Sequence, residues 1–198
     1  MRTGERIIFT AEEFDAARPD LPDGGRWTEL EAGHVVALAP PDGLHGTVVL
    51  NLGKALAGFA RPEAGGYACF ELGLIVARNP DSVWCPAVSY FLGGNAFAEA
   101  DHTLTDTRPA LVAEVASTND RRRKMADRIA AWLKWGVNLV WLLDPATREA
   151  HLFQPQRTPQ KLRESQILHG GSVLPGFQTP VAELFREPGW YKSPAGMK

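Results

Sequence analysis

A single carboxylate, Glu114, lies inside the apolar run Leu-Val-Ala-Glu-Val at residues 111–115. Burying a carboxylate is costly unless a cation meets it, because the charged group loses its hydration. Glu114 is therefore a candidate ligand for a hard metal cation that activates water or neutralises phosphate charge. The alternative is a glutamate at a strand end, either solvated or paired with the basic helix that follows. The residues alone leave both interpretations open.

A run of basic residues follows this carboxylate and includes Arg121 and Lys124, with Arg128 one helical turn further on. Charge runs usually mark a solvated helix face. Here Lys124 and Arg128 are four positions apart and share one face, directly after the strand that carries Glu114. Such a face could bind phosphate, or stabilise the charge that builds up during phosphoryl transfer. Arg121 and Lys124 are the candidate phosphate-binding residues.

Other candidates carry less information. Glu71 is another acid within an apolar run, where an edge-strand or ion-paired glutamate is the simpler interpretation. Glu29 alternates with Glu31 in a hairpin, so either side chain could face water. His45 stands at the entry to a helix, where a capping or packing histidine is more common than a catalyst. The sequence contains no phosphate-binding glycine loop, nucleophile elbow or Cys/His pair.

Composition limits the class of protein. The chain has 198 residues and a formal net charge of -2, so a nucleic-acid contact would need a local basic patch. Cys69 and Cys85 stand in apolar runs without metal-binding spacing, which indicates reduced core thiols. Neither a signal peptide nor a membrane-spanning run is recognisable. We expect a cytoplasmic protein without a membrane partner.

The candidate residues are positioned by an alternation of strands and helices. A strand over 110–115, a helix over 121–135 closed by Gly136, and a strand over 137–143 predict a parallel crossover. Further patterns predict a hairpin over 27–39, a helix over 46–59, and β-rich apolar segments over 67–76 and 83–91. Without repeats or linkers, the sequence predicts one α/β domain over residues 1–198, a mixed β-sheet with helices on its faces.

Several segments together carry a family resemblance. They occur in order over almost the whole chain: FTAEEF, WTELEAGHVVALAPPDGLHG, LVAEVASTND, a helix ending in Trp-Gly-Val, VWLLDP and SVLPGFQTPVAELF. The chain resembles the bacterial Uma-type restriction endonucleases, a branch of the PD-(D/E)XK nuclease superfamily. The resemblance implies a restriction-endonuclease-like core, a mixed β-sheet flanked by helices. It also implies a Mg²⁺ or Mn²⁺ site for hydrolysis of DNA phosphodiesters.

The resemblance carries over residue by residue, with two departures. The family's Asp after a proline falls on Ala87, so one metal ligand is missing. The family's second acid falls on Glu114, and its helical Lys falls on Arg128. Glu29 and Glu71 match recurrent acids whose roles the resemblance leaves open.

The departures imply a degenerate site. Glu114 would hold the metal ion almost alone unless Glu71 or Glu29 reaches it. Arg128 keeps a positive charge towards the scissile phosphate but cannot give up a proton to activate water, whereas Lys124 could substitute.

We therefore expect an endonuclease-like protein whose hydrolysis is weak or lost, with DNA as its partner. The sequence leaves the oligomeric state open, with a homodimer as one option. One alternative is a non-catalytic nucleic-acid-binding or regulatory module, which would need no metal. The other is a structural or oligomerisation domain in which Glu114 and Arg128 are a buried ion pair.

Overall fold

The structure is a computed structural model that describes residues 8–59, 66–93 and 98–189. Its helices are α1 (Ala11–Ala17), α2 (Gly43–Phe59), α3 (Asn119–Trp135) and α4 (Val181–Leu184). Its first seven strands are β1 (Thr28–Glu31), β2 (His34–Ala37), β3 (Gly66–Phe70), β4 (Gly73–Ala77), β5 (Ser82–Trp84), β6 (Val88–Leu92) and β7 (Leu104–Thr105). The remaining strands are β8 (Leu111–Val115), β9 (Leu139–Asp144), β10 (Glu149–Phe153), β11 (Gln160–Leu162), β12 (Ile167–Gly170) and β13 (Leu174–Pro180). The chain is thus mixed α/β, as predicted.

The strands form two mixed sheets and a separate hairpin. The six-stranded sheet has the order β11-β10-β9-β8-β6-β3, and the five-stranded sheet has the order β2-β1-β5-β4-β7. Strands β12 and β13 pair with each other. Strands β8 and β9 run parallel on either side of α3 in the chain, which confirms the predicted crossover. No helix in the described part of the chain is long and apolar enough to cross a membrane.

Strand β8 separates two parts of the hydrophobic core. Leu111, Ala113 and Val115 belong to one buried cluster, whereas Val112 belongs to another that includes Met125 and other residues of α3. Successive side chains of a strand point to opposite faces. Glu114 therefore shares the face of Val112, towards α3.

The capped ends of α3 fix its position along this face. The helix begins after Thr118, whose hydroxyl accepts a hydrogen bond from the amide of Arg121. It ends at Gly136, which has the left-handed conformation (φ +106°) predicted for its C-cap.

The β-rich segments predicted over 67–76 and 83–91 each contain two strands. Each run is interrupted where the chain crosses between sheets, from β3 to β4 around Glu71 and from β5 to β6 around Ala87. The amide of Glu71 donates to the carbonyl of Ala87 over 3.4 Å, so the two crossings lie side by side. An apolar run indicates that residues are buried, but it does not indicate which sheet a strand joins. The sequence pattern therefore did not predict where either segment crosses between the sheets.

Candidate functional site

Arg128 joins two buried carboxylates. Its Nη1 and Nη2 each donate to Glu29 over 2.7 Å, and its Nε donates to Oε1 of Glu114 over 2.6 Å. The Glu29 and Glu114 side chains are only 1% and 3% exposed, and that of Arg128 is 14% exposed. These distances are those of charge-assisted hydrogen bonds, with a bidentate contact to Glu29. We call Glu29, Glu114 and Arg128 the ion cluster.

Backbone and indole groups complete the ion cluster. The amide of Cys85 donates to Oε1 of Glu29 over 2.7 Å, and Nε1 of Trp132 donates to Oε1 of Glu114 over the same distance. Trp132 follows Arg128 by one helical turn, so both side chains reach the β8 face. The two carboxylates are therefore held by fixed donors as well as by the guanidinium.

Two aromatic rings cover the guanidinium. Its carbon lies 5.2 Å from the ring centroid of Trp84 and 5.5 Å from that of Trp132. Such contacts attract a cation most strongly when water is excluded. Burial by itself would lower the pKa of Arg128, but the charges of Glu114 and Glu29 and their hydrogen bonds override it and raise that pKa. Arg128 is thus a permanent cation at this position.

An open groove of about 680 Å³ leads to the ion cluster, whose three members contribute to its lining. The groove lies between the β1–β2 hairpin and α3, and Arg121, Arg123 and Lys124 also line it. Lys124 is exposed, as is Arg123, whereas Arg121 is partly buried. The structure therefore brings the predicted phosphate-binding residues to the same groove as the predicted catalytic residues.

Glu71 lies in a different place. Together with Ala87, it lines a small cavity at the junction of the two sheets, which we call the junction cavity. Its Oε1 is 3.7 Å from Nε2 of His45. Neither carboxylate of the ion cluster lines this cavity, whereas Arg121 lines both the cavity and the groove. The metal-ligand role predicted for Glu71 stays a prediction.

Comparison with known proteins identifies the family. Residues 11–182 match the model of a family described as "Uma2: Putative restriction endonuclease". The chain belongs to the Uma2 family. The fold is similar to a crystal structure of "a putative nuclease belonging to DUF820" from Anabaena variabilis ATCC 29413. That similarity has a TM-score of 0.71 at 20% identity and covers 89% of this chain and 97% of the other. It confirms the restriction-endonuclease-like fold. No curated protein matches the chain.

The residues of this Uma2 protein do not fit the divalent-metal site that the resemblance implies. Glu114 and Glu29 present three carboxylate oxygens to the ion cluster, and all three accept hydrogen bonds from Arg128. The side chain of Ala87 supplies no ligand atom, and its carbonyl accepts a hydrogen bond from the amide of Glu71. Across residues 8–59, 66–93 and 98–189, no three His, Cys, Asp or Glu side chains are grouped to hold a metal ion. Mg²⁺ needs such oxygens free of competing cations.

The structural-domain alternative predicted a buried ion pair. That pair is present, and a third residue belongs to it. The sequence indicated Glu114 and Arg128, whereas Glu29 makes two of the three hydrogen bonds that Arg128 donates to carboxylates. The aromatic cover by Trp84 and Trp132 was not predicted at all. Trp132 could have been found, because it stands four positions after Arg128 in the helix. Trp84 gives no local signal, since only the fold brings β5 to α3.

Proposed function

We propose that this Uma2 protein binds DNA in the groove beside α3 and that its phosphodiester hydrolysis is weak or lost. The observation that carries the proposal is the ion cluster, in which Arg128 spans Glu29 and Glu114 at 2.6–2.7 Å. A guanidinium in this position occupies the carboxylate oxygens that a metal would need. It also stays protonated, so it cannot activate water.

The basic rim of the groove supports DNA binding. Arg121, Arg123 and Lys124 belong to the first turns of α3, where the helix dipole adds partial positive charge. Arg128 offsets one of the two negative charges deeper in the groove, so the acids oppose the rim only in part. Glu31 and Asp127 also line the groove, which confines the positive region to the start of the helix. DNA phosphates are bound by groups of this kind.

Binding is tested by fluorescence anisotropy with a short DNA duplex over a range of salt concentrations. The logarithm of the affinity should fall linearly with the logarithm of salt concentration. Lys124→Ala should weaken binding and make that slope shallower by about one. Lys134→Ala, on an exposed residue at the other end of α3, is the matched control and should change neither. Absent or salt-insensitive binding would overturn the proposed DNA partner.

Hydrolysis is tested with supercoiled plasmid in Mg²⁺ and in Mn²⁺. The wild-type protein should nick plasmid no faster, or only slightly faster, than Glu114→Ala, which lacks the surviving acid. Rapid nicking that Glu114→Ala abolishes would show a working centre and refute the loss of activity. The homodimer, the cytoplasmic location and the single domain over residues 1–198 stay predictions.

A further inference from the structure

Within the described residues, the junction cavity contains a histidine without a hydrogen-bond partner. His45 is 5% exposed, and neither ring nitrogen has a hydrogen-bond partner among the residues that the structure describes. Glu71, at 3.7 Å from Nε2, is beyond hydrogen-bond distance. Buried polar groups in folded proteins are nearly always hydrogen-bonded. The unpartnered ring therefore points to a ligand that enters this cavity.

Arg121 is the second unusual group of the junction cavity. Its Nε donates to the carbonyl of Ala39 over 3.2 Å, and its guanidinium lies 5.6 Å from the ring centroid of Trp27. Within the described residues it pairs with no carboxylate, unlike Arg122 and Arg128 of the same helix. Burial lowers the pKa of Arg121, as expected for a cation without a direct counter-ion. An anion would supply one.

Two residues of the cavity wall have a left-handed backbone conformation. Trp27 and Glu71, which both line the cavity, have φ values of +56° and +51°. Residues other than glycine rarely adopt this conformation, and such outliers cluster at ligand-binding sites. The cavity wall is thus held in a conformation that local preferences oppose. This observation is independent of the polar groups and agrees with a binding role.

We propose that the junction cavity binds a phosphate monoester at the end of a DNA strand, through Arg121 and His45. This inference rests on the proposed DNA-binding function. The cavity measures about 20 Å³, room for one or two water-sized groups, so it admits phosphate oxygens but not a nucleoside. Leu38 and Arg121 line both the cavity and the groove, so the two are adjacent. The groove then holds the DNA strand whose terminal phosphate enters the cavity.

The other lining residues agree with an anionic ligand. Ala87 places a methyl group, not a carboxylate, against the cavity. Glu71 is the acid that lines it within the described chain, and its side chain is 46% exposed, so water screens its charge. A carboxylate at position 87 would be buried and would repel phosphate strongly. A substitution at position 87 therefore tests phosphate binding directly.

The test compares duplexes with a 5′ phosphate, a 3′ phosphate or no terminal phosphate, by anisotropy at one salt concentration. One phosphorylated end should bind about 10-fold more tightly than the unphosphorylated duplex, as expected for charge-assisted hydrogen bonds. Ala87→Asp and His45→Phe should each reduce this preference to about twofold or less. Lys134→Ala should keep it. Equal affinity for all three duplexes in the wild-type protein would refute the phosphate site and leave the proposed DNA binding intact.

If no duplex binds, a titration with inorganic phosphate tests the phosphate site separately from the proposed DNA binding. The ring resonances of His45 should then shift on titration with phosphate in the wild-type protein and stay unchanged in Ala87→Asp. That result would support the cavity as a phosphate site while the proposed DNA function fails. Resonances insensitive to phosphate in the wild-type protein would overturn the site as well. Because Ala87→Asp leaves His45 in place, the titration does not depend on whether His45→Phe folds.

Discussion

Arg128→Met removes the guanidinium from the ion cluster and leaves Glu29 and Glu114 facing each other. Both side chains are almost fully buried, at 1% and 3% exposed, so water cannot replace the lost cation. The substitution also removes three charge-assisted hydrogen bonds of 2.6–2.7 Å. Breaking a buried ion pair from one side costs about 3–5 kcal/mol. We expect this loss in the free energy of unfolding at pH 7.

Arg122→Met is the matched control on the same helix. Arg122 also contacts a carboxylate through two bonds, both of 2.9 Å to Asp144, but its side chain is 34% exposed. Asp144 is itself buried, but it keeps hydrogen bonds from two backbone amides when Arg122 is removed, so the control should lose about 1–2 kcal/mol, less than Arg128→Met. The two positions differ in burial more than in chemistry. Their difference therefore measures the cost of leaving acids uncompensated inside the protein.

Urea unfolding followed by circular dichroism measures both losses, with an unchanged denaturant slope as evidence that the same transition is observed. Thermal unfolding should show Arg128→Met melting about 10 °C below the wild type. A double-mutant cycle with Glu29→Gln isolates the direct contact. A loss for Arg128→Met no larger than for Arg122→Met, with a coupling energy near zero, would refute the reasoning.

Three further predictions concern other parts of the fold. Burial opposes ionisation of Asp144, but hydrogen bonds from Arg122 and two backbone amides lower its pKa. Its contribution to stability is therefore present above the unfolded pKa of about 3.9 and disappears as pH falls through the lower folded value. Asp144→Asn should lower the free energy of unfolding by about 1 kcal/mol at pH 7. Urea unfolding below about pH 4 should show a smaller difference between the variant and the wild type. A difference that does not change with pH would contradict this. Burial raises the pKa of the Cys85 thiol to about 12, so iodoacetamide at pH 8 should label it at least about 100-fold faster in urea than in the native protein; peptide mapping that finds equal rates would disprove it. Gly136→Ala forces a side chain into φ +106° and should cost about 1–2 kcal/mol by thermal unfolding; an unchanged melting temperature would count against the cap.

Local signals were sufficient for the elements that carry the site. The hairpin, α3 with its glycine cap and the parallel pair of β8 and β9 all follow from patterns within about 15 residues. The cost of burying Glu114 predicted that a cation would meet it, and Arg128 does so at 2.6 Å. These are short-range features, because helix periodicity and capping depend on neighbours in the chain.

Contacts between residues far apart in the chain could not be predicted from the sequence. Glu29 is 99 positions from Arg128, and nothing in an alternating hairpin shows which glutamate turns inward. Glu71 and Ala87 meet only because both apolar runs cross between sheets at the same place. His45 had the appearance of a packing residue, and only the cavity around it shows two unpartnered nitrogens. Tertiary packing decides these points, so a single sequence gives little indication of them.

The central claim is that a nuclease fold is kept while Ala87 and Arg128 close its catalytic centre. The double variant Ala87→Asp/Arg128→Lys tests it most directly, because it restores one acid and exchanges the fixed guanidinium for a lysine. Plasmid nicking in Mg²⁺ or Mn²⁺ should appear in this variant, be abolished by adding Glu114→Ala, and be absent or far slower in the wild type. A folded double variant that leaves plasmid intact would contradict the claim, as would a wild-type protein that nicks as fast as the variant.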